Sequence, residues 1–416
     1  MTTASIITIG DELLIGQVID TNSAWMAQEL NKAGIWLKRR VAVGDRWNDI
    51  RKALDEESAT ADIVLITGGL GPTADDITKP LLCEYFHTRL VVNEGALKNV
   101  RHIFETLLKR PMIERNLKQA EVPESCTVIQ NKRGTAPGML FEKEGKVFVS
   151  MPGVPHEMKG MMTDDVIPFL LDKFEMPFIT HRTLLTAGVG ESFLADHIQA
   201  FESALPENIR LAYLPNYGMV RLRLTGIGND SAHMEPEINA RFSQLKALLE
   251  EWMVTDEDIS LQEALGKLLK SRGQTMATAE SCTGGYAAHL ITSIPGSSAY
   301  FLGGLIPYQN NIKERVLRVQ QKTLSATGAV SEETVREMIS GALDLFGSDY
   351  ALATSGIMGP DGGTETKPVG TVWIAAGNRQ SIETRLLRFR FDRQRNIELT
   401  TTNVLNLLRK FILSTP

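Results

Sequence analysis

Cysteine is scarce and scattered in this sequence: Cys83, Cys126 and Cys282 are the only three among 416 residues. An odd number with no C-x-x-C spacing excludes a disulfide framework and a thiolate zinc site, and fits a reducing, cytoplasmic compartment. A basic surplus is also lacking. Forty-four Lys and Arg stand against 50 Asp and Glu, a formal charge of −6, which argues against a chain whose main task is gripping nucleic-acid phosphates. No apolar run approaches the ~18 residues that span a bilayer, and the run ending at Gly10 is too short for a signal peptide and has no basic leader. Tandem repeats and low-complexity tracts are absent too. What remains is an ordinary globular composition, 43% hydrophobic and 23% charged. The length suits two to four domains of ~100–200 residues.

Short β-branched runs alternate with longer amphipathic ones, the pattern of βα units around a largely parallel sheet. Strands are expected at Ser5–Gly10, Arg40–Gly44 and Asp62–Gly69, with helices at Asp20–Gly34 and Trp47–Ala59. A helical stretch near Glu94–Arg110, a strand near Thr127, a pair at Met139–Glu142 and Lys146–Met151, and a helix His156–Phe174 complete a first domain, 1–175. Residues 180–253 then read as a compact βαββα module. Its strand arrangement suits a KH-like fold, but the GXXG loop with which KH domains clamp nucleic acid is not found, so a connecting or dimerising role is the plainer reading. The acidic stretch 254–260 is the linker candidate. Residues 261–416 repeat the alternation, with strands near Thr275–Thr278, Tyr300–Leu305, Tyr350–Ala353, Thr371–Ala375 and Thr384–Phe391. The fold class expected is α/β: two three-layer α/β domains joined by a small α+β module.

Four glycine-rich segments of the first domain are candidates for a ligand pocket. Gly10-Asp11-Glu12 follows the first strand, where open α/β sheets bind ligands, and Asp20, Thr21 and Asn22 start the next helix. An N-cap role is the plain alternative for Asp20 or Thr21. The segment Thr67-Gly68-Gly69-Leu70-Gly71-Pro72-Thr73 runs into Asp75 and Asp76. Its glycines let backbone amides converge on a phosphate, and the two aspartates suit a hard divalent cation such as Mg²⁺. It matches neither the Walker A pattern nor G-x-G-x-x-G. Gly134, in Arg133–Gly138, and Pro152 with Gly153, in Met151–Glu157, belong to two further loops expected to converge on the same pocket. His156, His181, His197 and His289 show no metal-ligand spacing and are read as structural.

In the last domain, Glu280-Ser281-Cys282-Thr283-Gly284-Gly285 puts a serine at a strand-to-helix turn. A serine becomes nucleophilic when a base takes its proton, and a lysine kept neutral by burial can do so. Lys313 is the candidate base or orienter, Tyr308 a candidate proton relay, and the N–H groups of Gly284 and Gly285 a candidate oxyanion hole. The plain alternatives are an N-cap serine and a solvated lysine. Cys282 competes as nucleophile but lacks an evident activating histidine. Gly356 and Gly359, in the loop Thr354–Gly363, would suit a nucleotide phosphate with Lys367 as counter-charge.

Taken together these motifs resemble the CinA family, the competence/damage-inducible proteins, along essentially the whole chain. Gly10-Asp-Glu-Leu-Leu, Gly68-Gly-Leu-Gly-Pro-Thr with Asp75-Asp76, Gly134-Thr-Ala-Pro-Gly138 and Met151-Pro-Gly-Val-Pro resemble its N-terminal domain, similar in fold to the molybdopterin-binding MoaB/MogA proteins. Glu280-Ser-Cys-Thr-Gly-Gly285, Tyr308 with Lys313, and Ser355-Gly-Ile with Gly359-Pro resemble its C-terminal amidohydrolase domain. The resemblance implies two hydrolase sites. One deamidates nicotinamide mononucleotide to nicotinate mononucleotide at Ser281, Lys313 and Tyr308 and needs no cofactor. The other splits ADP-ribose into AMP and ribose 5-phosphate with a metal at Asp75 and Asp76. It also implies a KH-type middle domain and a homodimer. Met358 and Asp361 stand where the family often has smaller residues, and Ile397 where a second arginine would accompany Arg393. The alternative function is a pterin- or nucleotide-binding protein in which only one site, or neither, is catalytic.

Overall fold

Successive residues of a strand point to opposite faces of its sheet, so a strand apolar on both faces must be covered on both. The first strand, β1 (Thr3–Ile9), is of this kind: Ala4, Ile6 and Ile7 are fully buried and Ile9 nearly so. Ala4 and Ile6 join Ile63, Leu65, Met26 and Leu30 in one core, whereas Ile7 and Ile9 join Val64, Ile66, Ile50 and Leu54 in another. A helix, Thr21–Lys32 or Trp47–Thr60, contributes to each core. The computed structural model describes residues 2–71, 73 and 76–415. They fall into two compact units, one running to Thr180 and including Ile227–Met234, the other holding His181–Gly226 and the chain from Glu235.

In the first unit β1 pairs in parallel with β2 (Trp36–Val43) and β3 (Ile63–Thr67). A small antiparallel ribbon, β4 (Leu90–Val92) with β5 (Glu121–Pro123), follows. The main sheet is completed by β6 (Thr127–Ile129), β7 (Gly138–Lys143) and β8 (Lys146–Met151), in the order β2-β1-β3-β8-β7-β6. The parallel part is β2-β1-β3-β8, and β7 and β6 run antiparallel. The loops after β1, β3 and β8 therefore leave neighbouring strands at the same edge of the sheet. The 94–110 stretch is α-helical only to Arg101 and then π-helical from His102 to Leu107.

In the second unit, β9 (Phe178–Ala187), β10 (Ile209–Asn216), β11 (Met219–Gly228) and β12 (Met253–Thr255) form a sheet in the order β10-β11-β9-β12. The acidic stretch after it is tied down: Asp256 pairs with Lys246, Glu257 with Lys267, and Asp258 with Arg221. The remaining sheet is β13 (Met276–Glu280), β14 (Phe301–Leu305), β15 (Tyr350–Gly356), β16 (Thr371–Gly377) and β17 (Ile382–Arg388). Its order is β14-β13-β15-β16-β17, parallel across the first three strands and antiparallel beyond. The 22-residue helix Arg393–Ser414 buries Val404, Leu408 and Ile412 against one face, and Glu332–Phe346 buries Val335, Ile339 and Ala342 against the other. The α/β class expected from the sequence is the class observed. Among the described residues no helix is long and apolar enough to cross a membrane.

Candidate functional site

Two groups of candidate residues come together, one in each unit. In the second unit β13 lies between β14 and β15, so the turns leaving β13 and β14 emerge side by side. Ser281 is the first residue after β13, and its N–H donates to the Thr354 carbonyl of β15 at 3.0 Å. Glu280, fully buried, reaches forward over the turn. Its carboxylate accepts from Thr283 Oγ1 at 2.7 Å, the Ala287 N–H at 2.9 Å and the Ala288 N–H at 2.8 Å. The first turn of the helix Tyr286–Thr292 is thereby satisfied from within the chain. Gly284 and Gly285, at φ +63° and +94°, give the turn a left-handed course that disfavours a Cβ.

Lys313 comes from the helix Asn310–Leu317, just beyond the end of β14, and is buried at 1% exposure. Its Nζ lies 3.0 Å from Ser281 Oγ, 2.7 Å from the Pro307 carbonyl and 3.2 Å from the Tyr308 carbonyl. As an ammonium Lys313 donates to all three oxygens; as a neutral amine it keeps two hydrogens for the carbonyls and turns its lone pair to the serine hydroxyl. Burial lowers the Lys313 pKa from its usual 10.5, enlarging the neutral fraction. Neither an ordinary N-cap serine nor a solvated surface lysine describes this pair. Burial pushes the neighbouring Cys282 thiol up to about 12, which leaves it a poor nucleophile at neutral pH.

Other expected residues here have different placements. Tyr308 contributes its carbonyl. Its phenol is exposed and accepts from Arg393 Nη2 at 3.2 Å, whereas the group it turns to Lys313 is its carbonyl. The Gly284 N–H turns back to the Ser281 carbonyl at 3.3 Å, the Tyr286 N–H to the Thr283 carbonyl at 3.1 Å, and the Ala287 and Ala288 amides belong to Glu280. At Gly356 a Cβ would lie 2.7 Å from Val372 Cγ2, so that glycine serves the β15–β16 contact. The Gly359 carbonyl accepts from Arg393 Nη1 at 2.9 Å, and Lys367 Nζ donates to the Thr327 carbonyl at 2.6 Å. Sequence reasoning did not place the Pro307 carbonyl on the lysine, because nothing local marks it.

In the first unit the loops after β1, β3 and β8 line one cavity of about 430 Å³, with Thr135 and Ala136 beside them. Gly10, Gly68, Gly69, Gly71, Asp76, Pro152 and Gly153 border it. Gly68 has φ +111° and approaches β1 so closely that a Cβ would meet the Ile9 carbonyl at 2.2 Å. Asp76 closes its own loop: Oδ1 accepts the Gly71 N–H at 2.8 Å, and Oδ2 accepts the Thr73 N–H at 2.8 Å and the Thr73 hydroxyl. Asp75 lies outside the described residues.

The remaining candidates surround the cavity without lining it. Asp20 is a helix cap, its carboxylate accepting the Ser23 N–H at 2.9 Å and the Thr8 hydroxyl at 3.1 Å, so the plain reading holds. Asp11 and Asp45 bridge each other's loops, at 3.0 and 3.3 Å between backbone N–H and carboxylate. Asn22 donates to the Gly153 carbonyl at 2.7 Å, tying the first helix to the β8 loop. Gly134 makes room for Glu157, whose Cδ a Cβ would meet at 2.1 Å.

Glu12, Asp45, Asp76 and Glu157 give the cavity four carboxylates, and its described lining contains no lysine or arginine. Among the described residues no three acidic, histidine or cysteine groups gather closely enough to hold a metal by themselves. Carboxylate oxygens are the donor type that a hard divalent cation takes one or two at a time, with water and ligand oxygens completing its shell. Lys79, buried on the helix Thr78–Tyr85, donates to the Gln119 carbonyl at 2.9 Å. Desolvation, opposed by Glu121 and Asp76, lowers its pKa to about 8. Glu12 and Glu157 sat inside segments already selected, but Gln119 and Lys79 carried no local signal.

Three family models cover most of the chain: "Probable molybdopterin binding domain" over residues 5–172, "Damage-inducible protein CinA KH domain" over 181–254, and "CinA C-terminal domain" over 258–412. A CinA-like protein of Cytophaga hutchinsonii is 46% identical over 98% of this chain and 97% of its own length. Another, from Flavobacterium psychrophilum, is 43% identical over 99% of this chain and 98% of its own. A crystal structure of a competence-damaged protein (CinA) superfamily member from Klebsiella pneumoniae aligns at 36% identity, covering 37% of this chain and 96% of that one, with a TM-score of 0.36.

Proposed function

From the premise that this chain belongs to the CinA family of competence/damage-inducible proteins, we propose that it is a hydrolase of pyridine-nucleotide breakdown products with one site in each unit. The second unit deamidates nicotinamide mononucleotide. The observation that carries this reading is the buried Lys313 amine at 3.0 Å from Ser281 Oγ. An amide is a poor electrophile, so its hydrolysis requires an activated nucleophile and stabilisation of the oxyanion. Ser281 Oγ attacks the carboxamide carbon while its proton passes to Lys313 Nζ. The Gly285 N–H faces the developing oxyanion. Collapse breaks the C–N bond, and Lys313 returns the proton to the departing nitrogen, which leaves as ammonia. Water then attacks the acyl-serine by the same proton route in reverse, releasing nicotinate mononucleotide and restoring Ser281. The exposed Arg393–Tyr308 pair is a counter-charge suited to the substrate phosphate.

The first unit splits the diphosphate of ADP-ribose into AMP and ribose 5-phosphate. A divalent cation held at Asp76, with Asp75, would neutralise diphosphate charge and polarise a phosphorus centre. The chain's own contribution is positional: the Gly68–Gly71 backbone lets the ligand approach closely, and Asp76 fixes that loop's shape. The second reading, a unit that binds a pterin or nucleotide without cleaving it, draws on the lack, among the described residues, of three acidic, histidine or cysteine groups close enough to hold a metal. Assay of AMP from ADP-ribose with and without Mg²⁺ separates the two: metal-dependent AMP lost in Asp76→Ala supports hydrolysis, and an inactive wild type that still binds the nucleotide supports binding alone. The protein is further read as a cytoplasmic homodimer, which light scattering of the purified chain tests. The net charge of −6 weighs against nucleic acid as its ligand.

A further inference from the structure

The four carboxylates that border the cavity of the first unit differ in how they are held. Both oxygens of Asp76 are taken up by three donors of its own loop, and Asp45 accepts the Asp11 N–H. Glu12 stands exposed on a four-residue helical turn. Glu157 is half-buried on the helix Pro155–Met161, which follows β8. Asn131 Nδ2 donates to its Oε2 at 2.6 Å. Gly134 leaves the space that the carboxyl group fills, since a Cβ there would lie 2.1 Å from Glu157 Cδ. Oε1 has no hydrogen-bond partner among the described residues and remains accessible in the wall of the cavity. One oxygen is anchored and the other is open.

The anchor is itself fixed. Asn131 is only 3% exposed, and its side-chain amide is engaged at both ends: Nδ2 also donates to the Ala136 carbonyl at 2.9 Å, and Oδ1 accepts the Arg133 N–H at 2.9 Å. With acceptors for both Nδ2 hydrogens, the amide can present only a donor to Glu157. Asn99 Nδ2 donates to the Asn131 carbonyl at 2.8 Å and to the Gly134 carbonyl at 2.9 Å, so one side chain holds both parts of the seat in which Glu157 rests. A general base must be aimed by its surroundings and still offer a lone pair to the proton it takes. Of the four carboxylates, Glu157 combines the two. We infer that Glu157 is the general base of diphosphate cleavage in this cavity, taking a proton from the attacking water at Oε1, with Asn131 as its positioning residue. This rests on the proposed hydrolysis of ADP-ribose at the same site. The water oxygen bonds to one phosphorus while Oε1 takes one of its hydrogens. The bond from that phosphorus to the bridging oxygen breaks, and its electron pair leaves with the second phosphate. Glu157 then releases the proton to solvent, and the products are AMP and ribose 5-phosphate.

The test measures chemistry and binding separately on the full-length protein with Mg²⁺. Chemistry is AMP formed from ADP-ribose. Binding is calorimetric titration with the methylene-bridged analogue, in which carbon replaces the bridging oxygen and cleavage is blocked. Glu157→Gln keeps the shape of the side chain and removes its basicity. It is expected to lower kcat by about 10²- to 10⁴-fold and to bind the analogue within about fivefold of wild type. Glu157→Asp, which keeps a base on a shorter arm, is expected to turn over at least about 10-fold faster than the glutamine variant. Circular dichroism shows whether each variant is folded. Three results overturn the inference: turnover by the glutamine variant close to wild type, an aspartate variant no better than glutamine, or analogue binding weakened enough to account for the lost activity. The last would make Glu157 a holder of cation or ligand and not a base. AMP formed equally by wild type and the glutamine variant removes the role of Glu157 and leaves the hydrolase reading standing, whereas no AMP from the wild type removes both.

Discussion

Everything in the deamidase reading turns on one proton and the group that holds it. Lys313 must be neutral to accept from Ser281, and its burial favours that state. Lys313→Met is expected to lower ammonia release by about 10³-fold or more, and Lys313→Arg to be no better, because a guanidinium stays charged. Since the deprotonated amine is the active form, kcat/KM rises with pH through the Lys313 pKa, and burial puts the midpoint of that limb below 10.5. A rate profile flat up to pH 10, or a fully active arginine variant, contradicts the role. Ser281 and Lys313 were legible because a serine at a strand-to-helix turn and a lysine just past the next strand are local patterns. The Tyr308 contribution was not, because nothing in a sequence tells a phenol from its own carbonyl as the group facing inward. Gln119 was hidden for a related reason: it looks like any polar residue at a helix end until the fold closes over it.

Single elements hold these residues in place through groups that do no chemistry. Glu280 takes two amides of the helix Tyr286–Thr292 as well as the Thr283 hydroxyl, and all three bonds need an acceptor. Glu280→Gln turns part of that acceptor into a donor facing N–H groups. It is expected to cost about 2 kcal/mol of unfolding free energy and to weaken turnover without moving Ser281 in the sequence, with denaturant titration as the check. In the first unit, Lys79 titrates near 8 when folded and near 10.5 when unfolded. Between those values the unfolded chain holds the extra proton, so this group makes stability rise with pH, with its full penalty present below about 8. The melting-temperature gap between Lys79→Met and the wild type should therefore change between pH 7.5 and pH 10, and a constant gap contradicts the burial argument.

Element boundaries show where sequence patterns ran out. The strand expected from Arg40 begins at Trp36, because pairing with Thr3 of β1 extends it through residues of low apolar content. The β4–β5 ribbon joins segments too short to show any periodicity. By contrast, β1 and β3 announced themselves as continuous apolar runs, as strands covered on both faces do.

At the scale of the whole molecule, the cavity in the first unit and the Ser281–Lys313 pair in the second share no residue. The two activities should therefore separate cleanly: Ser281→Ala is expected to leave AMP formation from ADP-ribose within about twofold of wild type, and Asp76→Ala to leave ammonia release equally intact. Loss of both activities in either variant would contradict independent sites. The overall charge and the lack of long apolar runs weigh against nucleic acid and a membrane span, but they carry no information about which ligand each site takes. That information resides in the lining, in the carboxylates and glycine loops of the first cavity and the buried amine beside Ser281. The central claim is tested most directly by ammonia release from nicotinamide mononucleotide, measured on the full-length wild type and on Ser281→Ala. The account expects one equivalent of ammonia and of nicotinate mononucleotide per turnover, falling about 10³-fold or more in the variant. Equal release by both proteins, or none from the wild type, would contradict it.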